Sequence, residues 1–144
     1  MTADDEMKSV AVTSEQISPH RTEVRTDDAT FVVGADATPL ETLQGAFAAC
    51  LSSTGSYVAR EMDIDLESLE VSIEGEYDPD VFLGESDERA GFRGFDVEVA
   101  VEADADDEDL EDWLEAVERR CPVSDTVQTP TPASISLVAG ESDE

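Results

Sequence analysis

Hydrophobic and polar residues change their period repeatedly along this chain, and each change predicts an element. Near the start, Ser9–Ser14 and Arg21–Thr26 alternate weakly, and Thr30–Val33 is β-branched and aromatic. Three short strands are predicted there, with turns at Ser18-Pro19 and Asp27-Asp28. Thr38-Pro39-Leu40-Glu41 then reads as a capping box, with a Thr N-cap, Pro at the first helical position and a Glu able to reach back to the Thr38 amide. A helix of roughly 20 residues should follow, to about Met62. Its middle, Gln44 to Gly55, carries no charge on any face, which predicts a central core helix surrounded by protein on nearly all sides.

Leu66–Asp78 next alternates as a strand, with Leu69, Val71 and Ile73 on one face and acids on the other. Residues 79–91 contain Pro79, two glycines and several charges and read as a flexible loop. A second strand is expected at about Phe92–Ala103, with Phe95, Val97, Val99 and Val101 facing inward, so that the pair forms a hairpin on the central helix. The acidic run Asp104–Asp109 suits a helix N-terminus, and Arg119 and Arg120 suit its C-terminus. Leu110, Trp113, Leu114 and Val117 form its buried stripe, and Cys121 falls on the same stripe just before Pro122 ends the helix. A short turn through Val127 and a final strand, Ala133–Val138, complete the chain. The expected order is βββ-α-ββ-α-β, an α+β fold in one domain over residues 1–144, with 1–7 and 141–144 as flexible tails.

Charge narrows the functions open to such a domain. The 144 residues include 37 acids and 8 basic residues, for a formal net charge of −29, and Lys8 is the only lysine. A surface of that sign repels nucleic acid and anionic membranes. Apolar runs such as Leu43–Leu51 need burial and argue against a disordered chain. Self-repulsion of this size is screened at molar salt, where the Debye length is about 3 Å, so the composition reads as halophilic. No signal-peptide pattern and no apolar run of membrane-spanning length is present, which predicts a cytoplasmic protein. Cysteines in that compartment are expected reduced, reactive or simply buried.

Cys50 is the sharpest chemical candidate, because Ala48, Ala49, Ser52 and Ser53 around it let another element approach the thiol. The bland alternative is a small buried hydrophobe. Cys121 would act as a resolving thiol if the two helices pack together, or else is the last core residue of its helix. A reactive thiol must lose its proton, and a mid-helix position in so acidic a protein does not help it do so. A cation is therefore required. The candidates are Arg21 and Arg25 on the early strands, Arg60 near the end of the central helix, and Arg119; a strand arginine would need to face inward and be paired, with Glu41 the best-placed acid. His20 is the only histidine and reads as a turn residue; with only two distant thiols, no metal site is expected. Phosphate-loop, nucleophile-elbow and dinucleotide fingerprints are missing, so no cofactor is expected.

Thr38-Pro39-Leu40-Glu41-Thr42-Leu43 through Ala48-Ala49-Cys50, followed by an apolar strand pair, an acidic-start helix and Cys121-Pro122-Val123, resembles the OsmC/Ohr family of thiol-dependent hydroperoxide reductases over roughly residues 20–138. The resemblance implies an intertwined homodimer in which each central helix is buried by the partner. It implies that Cys50 attacks a peroxide oxygen, becomes a sulfenic acid and is captured by Cys121 as a disulfide, which a dithiol reductant reopens. Organic hydroperoxides are the implied substrates, with Glu41 and Arg25, chosen over Arg21, as the activating pair. One departure stands out: peroxidase branches of the family carry Glu directly after the helix-opening Pro, whereas here Leu40 is in that place and Glu41 follows, about 100° further round the helix. The alternative function is a non-enzymatic dimeric module that binds an apolar ligand or senses oxidants.

Overall fold

A computed structural model describes residues 7–140, so the tail expected at 141–144, and all but Met7 of the one expected at 1–7, lie outside the described residues. Strands β1 (Thr13–Ser18), β2 (Arg21–Arg25) and β3 (Thr30–Val33) precede helix α1 (Pro39–Glu61), β4 (Leu66–Glu76), a short helix α2 (Pro79–Phe82), β5 (Gly94–Ala103), α3 (Asp107–Arg120) and α4 (Pro122–Gln128). The chain divides inside α1 into two compact units, residues 1–46 and 47–144.

In the first unit, β1, β2 and β3 form an antiparallel meander in that order. Thr13 pairs with Arg25 and Val24 with Phe31, and β1 shifts register between Gln16 and Ser18. The first strand was expected at Ser9–Ser14. The sheet instead takes Thr13–Ser18, because its edge is set by the partner strand and not by the weak alternation upstream. His20 sits in the turn between β1 and β2, as expected. The capping box forms as written: Glu41 N–H donates to Thr38 Oγ1 at 3.1 Å, and Thr38 N–H donates to Glu41 Oε1 at 2.9 Å.

The second unit packs the rest of α1, the antiparallel β4–β5 pair, α3 and α4 around one core. Phe47, Leu51, Gly55, Val58 and Ala59 form the buried stripe of α1 at helical spacing. Val71 faces Val99, and Ile73 faces Val97, across the β4–β5 ladder. Val97, expected inside, is 38% exposed. Trp113, Val117 and Cys121 bring the stripe of α3 into the same core. Trp113 Nε1–H donates to the Gly55 carbonyl at 2.9 Å, and a Cβ at Gly55 would stand 2.9 Å from the indole, so glycine there is what lets α3 approach α1 this closely.

Several sequence expectations need correction. The uncharged middle of α1 is not enclosed within one chain: Ala46, Ala49 and Ser53 are exposed. The stretch after β4 is not a plain loop. Asp78 caps α2 by accepting the Asp80 N–H at 3.0 Å, and Pro79 occupies its first turn. Pro122 ends α3 but also opens α4, since proline lacks only an N–H that a first turn leaves unbonded. The final strand at Ala133–Val138 is not formed: the segment pairs with no strand, and Ile135, Leu137 and Val138 are 90% exposed or more.

Candidate functional site

Cys50 lies on the partly buried flank of α1, three residues after Phe47 and one before Leu51, and packs against the core cluster that contains Cys121. Cys121 is 1% exposed. It stands where α3 hands over to α4, and its extended backbone turns the chain between them. As the N-cap of α4 it uses sulfur in place of oxygen, with Ser124 N–H donating to Sγ at 3.4 Å. The two sulfurs, from different helices, therefore share one environment, and both are free thiols.

Electrostatics distinguish them. Burial pushes the Cys121 thiol above the ordinary thiol range, and a side-chain hydrogen-bonding interaction with Cys50 pushes it further; the amides of Ser124 and Val123 oppose this. Cys121 is thus harder to ionise than an ordinary thiol.

The other sequence-selected residues are engaged elsewhere. Arg25 is half-buried on β2 and pairs with Glu23 and, at 3.6 Å, with Glu15. Glu41 is exposed and held by the Thr38 cap, and no Arg25–Glu41 ion pair occurs among the described residues. Arg21, Arg60 and Arg119 are all exposed, with no carboxylate partner among the described residues. The described residues offer no cluster of three His, Cys, Asp or Glu able to hold a metal ion.

Two features were not selected from sequence. Arg120, not its neighbour Arg119, joins the ends of α3 and α1: its guanidinium bonds Glu61 at 2.8 and 3.3 Å and lies 5.5 Å from the ring centroid of Tyr57. That contact holds the Glu61 carboxyl below the usual carboxylate range. Tyr57 and Glu61 are four apart on one helix face, a spacing that would have marked the cluster. The second feature is a half-open cavity of about 680 Å³, walled by Phe47, Leu51, Val97, Val99 and Leu114 among others, with no sequence signal because its walls come from distant segments.

The model of the OsmC-like protein family matches residues 33–136, which holds both cysteines and every element from α1 to α4. The chain belongs to this family. An OsmC-like protein from Mycoplasma pneumoniae has a similar structure, with a TM-score of 0.75 at 19% identity over 84% of this chain and 88% of that one. An organic hydroperoxide resistance protein from Elizabethkingia anophelis is similar with a TM-score of 0.60 at 20% identity, over 86% and 91% of the two chains. OhrB, the organic hydroperoxide resistance protein of Bacillus subtilis, gives 0.55 at 20% identity over 84% and 91%. No curated protein matches the chain. At these identities the likeness establishes the OsmC-like α+β fold. No helix among the described residues is long and apolar enough to cross a membrane.

Proposed function

We propose that this OsmC-like protein is a thiol-dependent peroxidase that reduces organic hydroperoxides in a salt-rich cytoplasm. The observation that carries the reading is the packing of Cys50 against the core cluster that contains Cys121, the two thiols coming from separate parts of the chain. The names of the similar Elizabethkingia and Bacillus proteins support the substrate class.

The Cys50 thiolate attacks the terminal peroxide oxygen, the O–O bond breaks, and the alkoxide takes a proton and leaves as alcohol. Cys50 is now a sulfenic acid. The Cys121 sulfur attacks it, water departs, and a Cys50–Cys121 disulfide remains until a dithiol reductant exchanges with it. We assign Arg25 as the activating cation, over the more exposed Arg21, and Glu41 as its acid. Both must leave their present partners to act, so Arg25→Gln should slow the first step and leave disulfide reduction unaffected. The working unit is an intertwined homodimer: the exposed uncharged face of α1 and the unpaired apolar segment 133–138 are surfaces a second copy would cover.

The deciding assay follows consumption of cumene hydroperoxide with a dithiol reductant in concentrated KCl. Absence of turnover, or full turnover in Cys50→Ser, sinks the proposal. The cavity beside Phe47 favours a second reading, a dimeric module that binds an apolar ligand without turnover. Under it, Cys121→Ser behaves as wild type and mild peroxide produces no disulfide.

A further inference from the structure

The same cavity carries an observation that neither reading uses. Arg89 and Arg93 both line it. They are two of only seven arginines in a chain of net charge −29, yet neither makes an ion pair among the described residues. Arg21, Arg60 and Arg119 are likewise without a carboxylate partner among the described residues, so what sets Arg89 and Arg93 apart is that both line one largely apolar cavity. Both side chains are nevertheless held in place. Arg89 Nη1 donates to the Phe92 carbonyl, and Arg93 Nη2 donates to the Arg89 carbonyl at 3.0 Å. Each guanidinium keeps further N–H groups unused, since it has five donors.

We propose that the cavity binds an amphiphile with an apolar chain and a carboxylate head, the chain lying along Leu51, Val97, Val99 and Leu114 and the head on Arg89 and Arg93. The volume of about 680 Å³ accommodates a small ligand. The apolar walls remove the chain from water, and the planar guanidinium fork matches a carboxylate. Glu118 also lines the cavity and opposes an anion, and Glu74, Glu76 and Asp96 border Arg93 in an adjoining groove, so the preference for a carboxylate rests on direct guanidinium contact and not on the net local charge. The −29 surface repels the ligand at low salt, but at molar salt its reach shrinks to about 3 Å and only these near groups act on the head. Neither sulfur lines the cavity, so binding does not depend on the peroxidase reading.

The experiment titrates wild type with octanoate, octan-1-ol and octylammonium by calorimetry in about 1 M KCl. Octanoate should bind about tenfold more tightly than the alcohol, the scale of one charge-assisted contact. Octylammonium should bind more weakly than either. Arg89→Gln/Arg93→Gln should bring octanoate and octan-1-ol to the same affinity, Arg89→Lys/Arg93→Lys should keep part of the preference, and Cys50→Ser should bind as wild type does. Equal affinities in wild type, a preference for octylammonium, no binding of any probe, or a preference surviving in the glutamine variant overturns the proposal. Failure of peroxide turnover with these affinities intact would sink only the enzymatic reading.

Discussion

Replacing glycine by alanine at two places on α1 should have opposite consequences, and the contrast measures how tightly α3 is seated. Gly45 and Gly55 both lie within the helix, where alanine is favoured over glycine by about 1 kcal/mol. At Gly45 a new Cβ meets nothing within 4 Å, so Gly45→Ala should realise that gain. At Gly55 it would stand 2.9 Å from Trp113 Cζ2 and 3.2 Å from Leu69 Cδ2. Trp113 is 2% exposed and anchored to the Gly55 carbonyl, so the indole cannot swing away without breaking its hydrogen bond. Overpacking of this kind costs about 1–3 kcal/mol, and this cost is the difference expected between the two variants, because the propensity gain is common to both. Urea melts at high KCl and fixed protomer concentration give the two midpoints, with light scattering to confirm an unchanged oligomeric state. If the variants differ by less than about 0.5 kcal/mol, the close approach of α3 to α1 is not what glycine is there to permit. The same displacement would move Cys121, which continues the Trp113–Val117 stripe. Peroxide-driven disulfide formation should therefore slow in Gly55→Ala and not in Gly45→Ala.

Stability should also depend on pH through Cys121. Its folded thiol is harder to ionise than an unfolded one, so unfolding releases a proton at high pH; stability is flat below the ordinary thiol value of about 8.5 and falls above it. A melt series from neutral to alkaline pH in which Cys121→Ala loses as much stability as wild type contradicts this. Arg120→Gln removes an exposed pair whose worth is set by screening, so its cost should be close to nil at molar KCl and grow as salt is withdrawn. A cost independent of salt would mean that Arg120 acts through packing on Tyr57. Dilution to about 0.1 M salt lengthens the Debye length to roughly 10 Å and should lower the melting temperature of the whole chain. An unchanged melting temperature would refute the halophilic reading of the acids.

Local chemistry was legible in the sequence where it decided the structure. The Thr38-Pro39-Leu40-Glu41 box fixes the start of α1 because its hydrogen bonds close within four residues. The Leu110–Cys121 stripe needs only helical periodicity to deliver Cys121 to the core. Proline was the misread signal at Pro122, where one residue both stops a helix and starts the next, and at Pro79, where Asp78 before it was the cap. The tail shows the opposite limit: alternation at Ile135 and Leu137 gives strand propensity, but a strand exists only when a neighbour supplies the edge. Arg25 was placed on a strand correctly, yet its carboxylate partners, Glu15 across the β1–β2 pair and Glu23 two residues away, follow from sheet register that no single segment encodes.

The placement of Cys121 also orders the proposed reaction. Burial opposes ionisation of Cys121 most, the side-chain hydrogen bond with Cys50 adds to it, and a Cys50 thiolate adds coulombic repulsion. A buried thiol so restrained is a poor first nucleophile, which suits the proposed order in which Cys50 attacks first. Once Cys50 carries oxygen as a neutral sulfenic acid, the repulsion between two sulfur anions is gone, while the Ser124 and Val123 amides at the start of α4 still favour the Cys121 thiolate. Cys121 would thus gain nucleophilicity at the step that needs it, without any movement of the helices. Alkylation should expose this: with Cys50 replaced by serine, which keeps a hydrogen-bonding group but cannot form a thiolate, Cys121 should react faster with a small alkylating agent at neutral pH than it does in the reduced wild type. A slower or unchanged rate would separate the two thiols electrostatically and remove the basis for the assigned order.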